Sequence, residues 1–178
     1  VTGSARGVGR HVALGLAESG ARIAVHYHSS EDAAVETARD AESLGAPAVE
    51  TVQGDVTDPE DVDAIFEHIE NSLGSVDVLV NNVGDFAPVH WEDIGLATWN
   101  RVLSTNLTGT FLCTKRAIPA MRAAEFGRIV NVGYASSDRG LVNPTNFPFF
   151  VAKAGVIMFT RMVASDTHTD GITVNAVS

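Results

Sequence analysis

The sequence predicts an α/β domain, a doubly wound parallel sheet with helices on both faces, and three observations predict it. Five short runs rich in valine and isoleucine alternate with longer segments of helical period. Several of these runs are apolar nearly throughout, as in strands covered on both faces. No linker, repeat or low-complexity stretch interrupts the alternation, so the 178 residues read as one domain.

The elements follow in order. A glycine-rich loop, Thr2-Gly3-Ser4-Ala5-Arg6-Gly7-Val8-Gly9, precedes a helix over residues 8–19, with Val8, Val12 and Leu16 on one face. Strands are expected over 22–27 and 48–53. The clearest helix runs over 58–73, with Asp58 as N-cap, Pro59 in the first turn and Gly74 as the stop. Its residues Val62, Ile65, Phe66, Ile69 and Leu73 make one apolar stripe. A strand over 76–80 leads to a long helix over 98–123. A strand over 128–132, an almost wholly apolar helix over 149–167 and a strand over 172–177 complete the pattern. Right-handed crossovers would join the strands, and ligands bind beyond the carboxyl ends of such sheets. Those ends are the Gly3 loop and residues 26–30, 55–56, 81–84 and 133–138.

Composition excludes several classes. With 22 acids and 12 bases, the net charge of −10 argues against a phosphate-tracking nucleic-acid binder and against an anionic membrane surface. Residues 1–80 hold 15 acids and 4 bases, and residues 81–178 hold 7 and 8, so the first half carries the excess. Lysine is scarce, with Lys115 and Lys153 against ten arginines. Cys113 is the single cysteine, which excludes a disulfide framework and a thiolate metal cluster. Neither an apolar run of the roughly 20 residues of a bilayer span nor a signal peptide is expected. A cytoplasmic protein is expected. Val1 stands directly before the glycine loop and Ser178 directly after an apolar run, so the domain is expected to be truncated at both ends.

Three glycines between a strand and a helix let backbone approach a pyrophosphate, whose charge the free N–H groups and the helix dipole stabilise. The spacing is G-x-x-x-G-x-G rather than G-x-G-x-x-G, and on its own it also suits an ordinary turn. A second strand ends about 20 residues later, where a ribose-reading residue belongs.

With Gly54-Asp55-Val56, Asn81-Asn82-Val83-Gly84, Asn106-Leu107-Thr108-Gly109 and Ala152-Lys153-Ala154-Gly155 in the same order, the chain resembles the short-chain dehydrogenase/reductases over nearly all its length. The resemblance is especially to the bacterial-type 3-oxoacyl-carrier-protein reductase branch. The resemblance implies a Rossmann-type fold and an oxidoreductase that passes hydride between a nicotinamide and a carbonyl or secondary alcohol. It implies that Gly3, Ser4, Arg6, Gly7, Val8 and Gly9 hold the dinucleotide phosphates. Asp55 and Val56 would touch the adenine, and Asn82 and Gly84 the neighbouring ribose; Val83 replaces the family's alanine. The strand end His26-Tyr27-His28-Ser29-Ser30 carries no acid until Glu31, and Arg6 adds a cation. Both features favour NADP(H) over NAD(H), with His28 near the cofactor. His26 and His28 share a strand face, but two histidines without a third ligand make a poor metal site, and no metal is expected.

Carbonyl reduction needs a positioned nicotinamide, donors that polarise the carbonyl, and a proton for the alkoxide. By resemblance, Asn106 anchors a water relay and Lys153 is the active-site lysine. Lysine in so apolar a helix is costly without partners. The family's proton-donating tyrosine stands four residues before this lysine, and here that residue is Phe149. The serine slot falls on Tyr134 counted along the strand, and on Ser136 or Ser137 counted back from Phe149, so the loop carries an insertion. Two readings remain open. In one, Tyr134 takes over the proton and Ser136 polarises the carbonyl; in the other, the protein is a catalytically weakened NADP(H)-binding sensor or partner subunit. A 3-oxoacyl thioester, a sugar or a small ketone would be the substrate. A homodimer or homotetramer is expected through helices 98–123 and 149–167, burying Phe150, Val156, Met158 and Phe159.

Overall fold

The computed structural model describes residues 1–134 and 144–178. Its elements run α1 (Gly7–Glu18), β1 (Ile23–Tyr27), α2 (Glu31–Ser43), β2 (Val49–Gln53), α3 (Pro59–Leu73), β3 (Val78–Asn81), a short 3-10 turn (Trp91–Asp93), α4 (Leu96–Leu103), a π turn (Ser104–Thr108), α5 (Gly109–Ala123), β4 (Gly127–Val132), α6 (Phe147–Thr167) and β5 (Ile172–Val177). The parallel α/β plan is the expected one. Among the described residues all strand pairs are parallel, with β1 on β2 (Ile23 beside Val49), β3 on β4 (Asn81 beside Asn131) and β4 on β5 (Asn131 beside Ala176).

The strands form two groups, β2-β1 and β3-β4-β5. Residues 1–4 stitch them together: the Thr2 N–H donates to Val80 O at 2.9 Å and the Ser4 N–H to His26 O at 2.9 Å. Below this stitch an apolar cleft of about 380 Å³ lies between the facing edges, lined by Ile23, Ile65, Phe66, Leu79 and Cys113 among others. Successive crossovers run outward in opposite directions from this junction. It is the switch point of a doubly wound sheet, where ligand clefts form.

Each group has its own core. Ala5, Ala13, Ala17, Ile23, Val25, Ala34 and Ala41 bury α1 and α2 against β1. Val52, Val56, Ile65, Phe66, Leu79, Met121, Ile129 and Val174 are among those joining α3 and α5 to the other strands. Helix α3 matches its sequence signals, with the Asp58 carboxylate accepting the Glu60 N–H at 2.8 Å and Gly74 at its end.

Five details differ from the sequence reading or were absent from it. Helix α1 buries Gly9, Ala13 and Ala17 and leaves Val8 exposed, because small residues let it approach the sheet closely. Helix α2 has no bulky stripe and buries Ala34, Thr37 and Ala41. The helix expected over 98–123 is broken by the π turn at Ser104–Thr108. There the Asn106 side-chain amide donates to Val102 O at 2.9 Å, four residues back, competing with the regular ladder. Helix α6 is long and apolar enough, by length and composition, to cross a membrane, contrary to the expectation that no such run exists. In the fold it packs on β5, α4 and the π turn and carries buried Lys153 and Thr160. Val156, expected between subunits, is buried inside the chain itself, whereas Met158 is exposed.

Candidate active site

A cavity of about 780 Å³ opens beyond the carboxyl ends of β1, β2 and β3, with Arg6, His28, Asp55, Asn82, Gly84 and Arg101 on its walls. The glycine loop forms its floor. Gly3 adopts φ +62° and Gly7 φ +60°, conformations open to glycine at little cost. A Cβ on Gly9 would stand 2.5 Å from both Asn82 Nδ2 and Gly3 O, so only glycine lets α1 begin this close to the β3 end. The first intrahelical bond of α1 runs from the Arg10 N–H to Arg6 O at 3.3 Å, leaving the amides of Gly7, Val8 and Gly9 without acceptors inside the helix. Such an end suits a phosphate.

The loop is braced from four sides. The Thr37 hydroxyl on α2 donates to Ala5 O at 3.0 Å. The Asn82 amide donates to Thr2 O at 3.0 Å and to Gly3 O at 3.2 Å, while the Thr2 hydroxyl oxygen accepts the Asn82 N–H at 2.9 Å. The Ser4 hydroxyl donates to Val1 O at 2.8 Å and accepts the His26 N–H at 3.0 Å. The Gly3 N–H donates to His26 Nδ1 at 2.9 Å. Ser4, expected to hold phosphate, is therefore fully buried with both its amide and its hydroxyl spent on the β1 end. The Gly3 amide is likewise spent, and the Asn82 amide group serves the loop. Arg6, Gly7 and Val8 are exposed at the head of α1, and His28 is exposed on the wall.

At the β2 end, burial pushes the Asp55 carboxyl up. Hydrogen bonds from the Thr57 N–H and hydroxyl, both 2.8 Å, outweigh this and hold it below its ordinary value. The Asp55 N–H donates to the Asp61 carboxylate at 2.7 Å. Val56 is buried in the core, where a Cβ on Gly109 would meet it at 2.9 Å.

The other end of the cavity meets Gly84. A Cβ there would stand 2.9 Å from Asn106 Oδ1 and 3.7 Å from Lys153 Nζ, so the expected asparagine and lysine converge on one point. Asn106 is fully buried, and its amide donates to Asp85 O at 2.6 Å, but its Oδ1 has no partner among the described residues. Asp85 is itself ion-paired with Arg101. Lys153 is 3% exposed; its Nζ donates to Val132 O at 2.7 Å, and burial lowers its pKa to about 8. An orphaned acceptor beside a buried ammonium is a place for a polar ligand atom or a water.

Above this pair the site is aromatic. Lys153 Nζ lies 5.8 Å from the Phe149 ring centre. The Tyr134 ring meets Phe149 edge-on at 5.9 Å and Phe150 at 4.7 Å. Tyr134 thus packs against Phe149, the residue whose lack of a donatable proton it was expected to make good. Ser136 lies outside the described residues.

Three roles were not read from the sequence, although their residues stood in or beside its motifs. Thr2 and His26 brace the loop, and a buried chain runs from Asn81 Nδ2 to Thr114 Oγ1 (3.1 Å) and Asn131 Oδ1 (2.9 Å), then from Asn131 Nδ2 to Thr160 Oγ1 (2.9 Å). The apolar runs around these polar residues were the available signal, since a buried amide needs partners.

The whole chain, residues 1–178, matches the family described as short chain dehydrogenase. It is 37% identical over 178 residues to a 3-oxoacyl-[acyl-carrier-protein] reductase of Synechocystis, covering all of this chain and 71% of the relative. A reductase of the same name from Staphylococcus aureus is also 37% identical, over 179 residues, at the same coverages. Among solved structures, acetoin dehydrogenase from Salmonella typhimurium superposes with a TM-score of 0.93 at 33% identity, covering all of this chain and 70% of that one. Gluconate 5-dehydrogenase from Burkholderia cenocepacia, solved with NADP and tartrate, superposes with a TM-score of 0.90 at 31% identity, covering 98% and 67%. With its Rossmann-type fold, its glycine cradle and its match from end to end, the chain belongs to the short-chain dehydrogenase/reductase family of NAD(P)-dependent oxidoreductases.

Proposed function

We propose that the chain reduces a carbonyl, or oxidises the matching secondary alcohol, with NADP(H). The observation that carries this reading is the meeting of Asn106 Oδ1 and Lys153 Nζ at Gly84, where the cofactor cavity ends. The cradle fits a dinucleotide: the free amides of Gly7, Val8 and Gly9 would take the phosphates, and Asp55 and Gly84 would border the adenosine. When bound, the nicotinamide supplies or takes the hydride. Lys153 would hold the adjoining ribose, and Asn106 would order a water against the ammonium. Tyr134 would give the alkoxide its proton, a task Phe149 cannot perform, and Ser136 would polarise the carbonyl. Arg6 and His28, with no acid before Glu31, favour the extra phosphate of NADP(H). A relative of 31% identity was solved with NADP, which agrees.

The names of the relatives direct the substrate search to 3-oxoacyl thioesters, sugar acids and small hydroxyketones. Exposed Phe111, Met158 and Met162 on α5 and α6 give the outer face that a homodimer or homotetramer would cover.

The test follows NADPH oxidation over a ketone panel for wild type, Tyr134→Phe and Phe149→Tyr. A fall of about 10²–10⁴-fold in Tyr134→Phe is expected for loss of a positioned acid; unchanged turnover sinks the substitute-acid role. Turnover in Phe149→Tyr alone would favour the second reading, a weakened dinucleotide binder, which Phe149 itself suggests. Tighter binding of NADH than NADPH overturns the cofactor preference.

A further inference from the structure

The imidazole of His26 is 4% exposed and spans two cofactor loops. Its Nδ1 lies 2.9 Å from the Gly3 N–H and its Nε2 lies 3.0 Å from Gly54 O. The partners fix its protonation. An amide N–H can only donate, so Nδ1 is bare; a carbonyl can only accept, so Nε2 carries the hydrogen. We propose that His26 is a positioning residue for the dinucleotide, a neutral cross-brace that holds the phosphate loop at Gly3 to the β2 end at Gly54–Asp55. This rests on the reading of the cavity as the cofactor site.

Gly3 is the hinge of the loop. Its N–H is held by His26 and its carbonyl by the Asn82 amide at 3.2 Å. With both peptide groups pinned and φ at +62°, the chain enters Arg6–Gly9 in one direction, which aims the free amides of α1 at the cavity. At its far end the same ring fixes Gly54, next to Asp55 on the adenine side. The spacing between the loops is therefore set before a ligand arrives, and preorganisation of this kind raises affinity by removing the ordering step. Burial lowers the His26 pKa to about 4, which agrees with a ring that stays neutral.

The two ring nitrogens can be replaced one at a time. Asparagine places Oδ1 where Nδ1 stands and keeps the acceptor for Gly3. Glutamine places its amide nitrogen where Nε2 stands and keeps the donor for Gly54. Leucine removes both. NADPH and NADH are titrated by calorimetry into wild type, His26→Asn, His26→Gln and His26→Leu, with thermal unfolding of each in parallel. Expected is a Kd for NADPH within about threefold of wild type for Asn, about tenfold weaker for Gln, and weaker still for Leu, as for loss of one hydrogen bond to the hinge. The loss would fall on KM for NADPH rather than on kcat. Asn and Gln variants with equal Kd values, or a ranking that follows unfolding temperature alone, overturn the brace. Should Leu fail to fold, the Asn–Gln comparison decides. Wild type that binds neither nucleotide overturns the cofactor reading, and the brace with it.

Discussion

The two ends of the cavity are built differently. At the glycine loop nearly every contact is a hydrogen bond to backbone: Thr37 to Ala5, Asn82 to Thr2 and Gly3, and Gly3 to His26. At the Lys153 end two side-chain groups, the ammonium anchored on Val132 O and the Asn106 amide anchored on Asp85 O, face ring edges, with Asn106 Oδ1 left over. A site made of backbone depends on chain path and tolerates many side chains but few added atoms. A site made of side chains depends on single functional groups, so one substitution such as phenylalanine for tyrosine changes its chemistry without disturbing the fold. The binding end should therefore fail sterically and the reacting end chemically.

The largest effect on binding is expected at Gly9. In Gly9→Ala the new Cβ would come to 2.5 Å from Asn82 Nδ2 and Gly3 O, and one of the contacts is backbone that cannot swing aside. The loop must move, carrying Gly3 off His26. NADPH affinity should drop by about a hundredfold or more, given that several hydrogen bonds are broken together. Affinity within threefold of wild type, measured by titration, would erase the contrast between the two ends.

Lys153→Met tests the other end. Turnover should fall by about 10²–10⁴-fold, as for loss of the ammonium that positions the ribose and the water beside the proton donor. Stability should respond in the opposite sense. The ammonium titrates near 8 in the fold and near 10.5 when unfolded, so between those values the unfolded chain keeps a proton that the folded chain has released. Wild-type stability should therefore rise with pH through that window by up to about 3 kcal/mol relative to Lys153→Met. Below pH 8 the full penalty of the buried charge applies. Urea unfolding of both proteins from pH 7 to 10 checks this, and parallel curves would mean that Lys153 is as well solvated as a surface lysine.

The same contrast explains what could be read from residues alone. Gly3, Gly7 and Gly9 were legible because positive φ and close approach admit little else. Asp58, Pro59 and Gly74 marked α3 because capping is local chemistry. Helix α2 was silent, since alanine and threonine on its inner face leave no stripe of bulky residues. Val156 was misassigned for the reverse reason: α6 is apolar around most of its circumference, so periodicity cannot say which side faces in. The π turn was hidden because its break comes from the Asn106 side chain bonding to Val102 O, a choice among conformations that five ordinary helical residues do not announce. His26 read only as a strand-end residue and a poor metal ligand, because a single ring does not announce the two backbone partners, Gly3 and Gly54, at its nitrogens.

The smallest effect separates fold from site at the β2 end. The Asp58 carboxylate caps α3 through the Glu60 N–H, while Asp61 in the first turn accepts the Asp55 N–H. Cap and loop contact are thus carried by different carboxylates three residues apart. Asp58→Ala should cost about 1 kcal/mol of stability, the usual loss for a capping aspartate. It should leave the Kd for NADPH within threefold, because Asp55 keeps its bonds from Thr57 and to Asp61. Chemical denaturation and nucleotide titration of the same variant make the test. If the affinity falls in step with stability, the α3 start is part of the binding end, and its precision depends on helix caps as well as on the glycine loop.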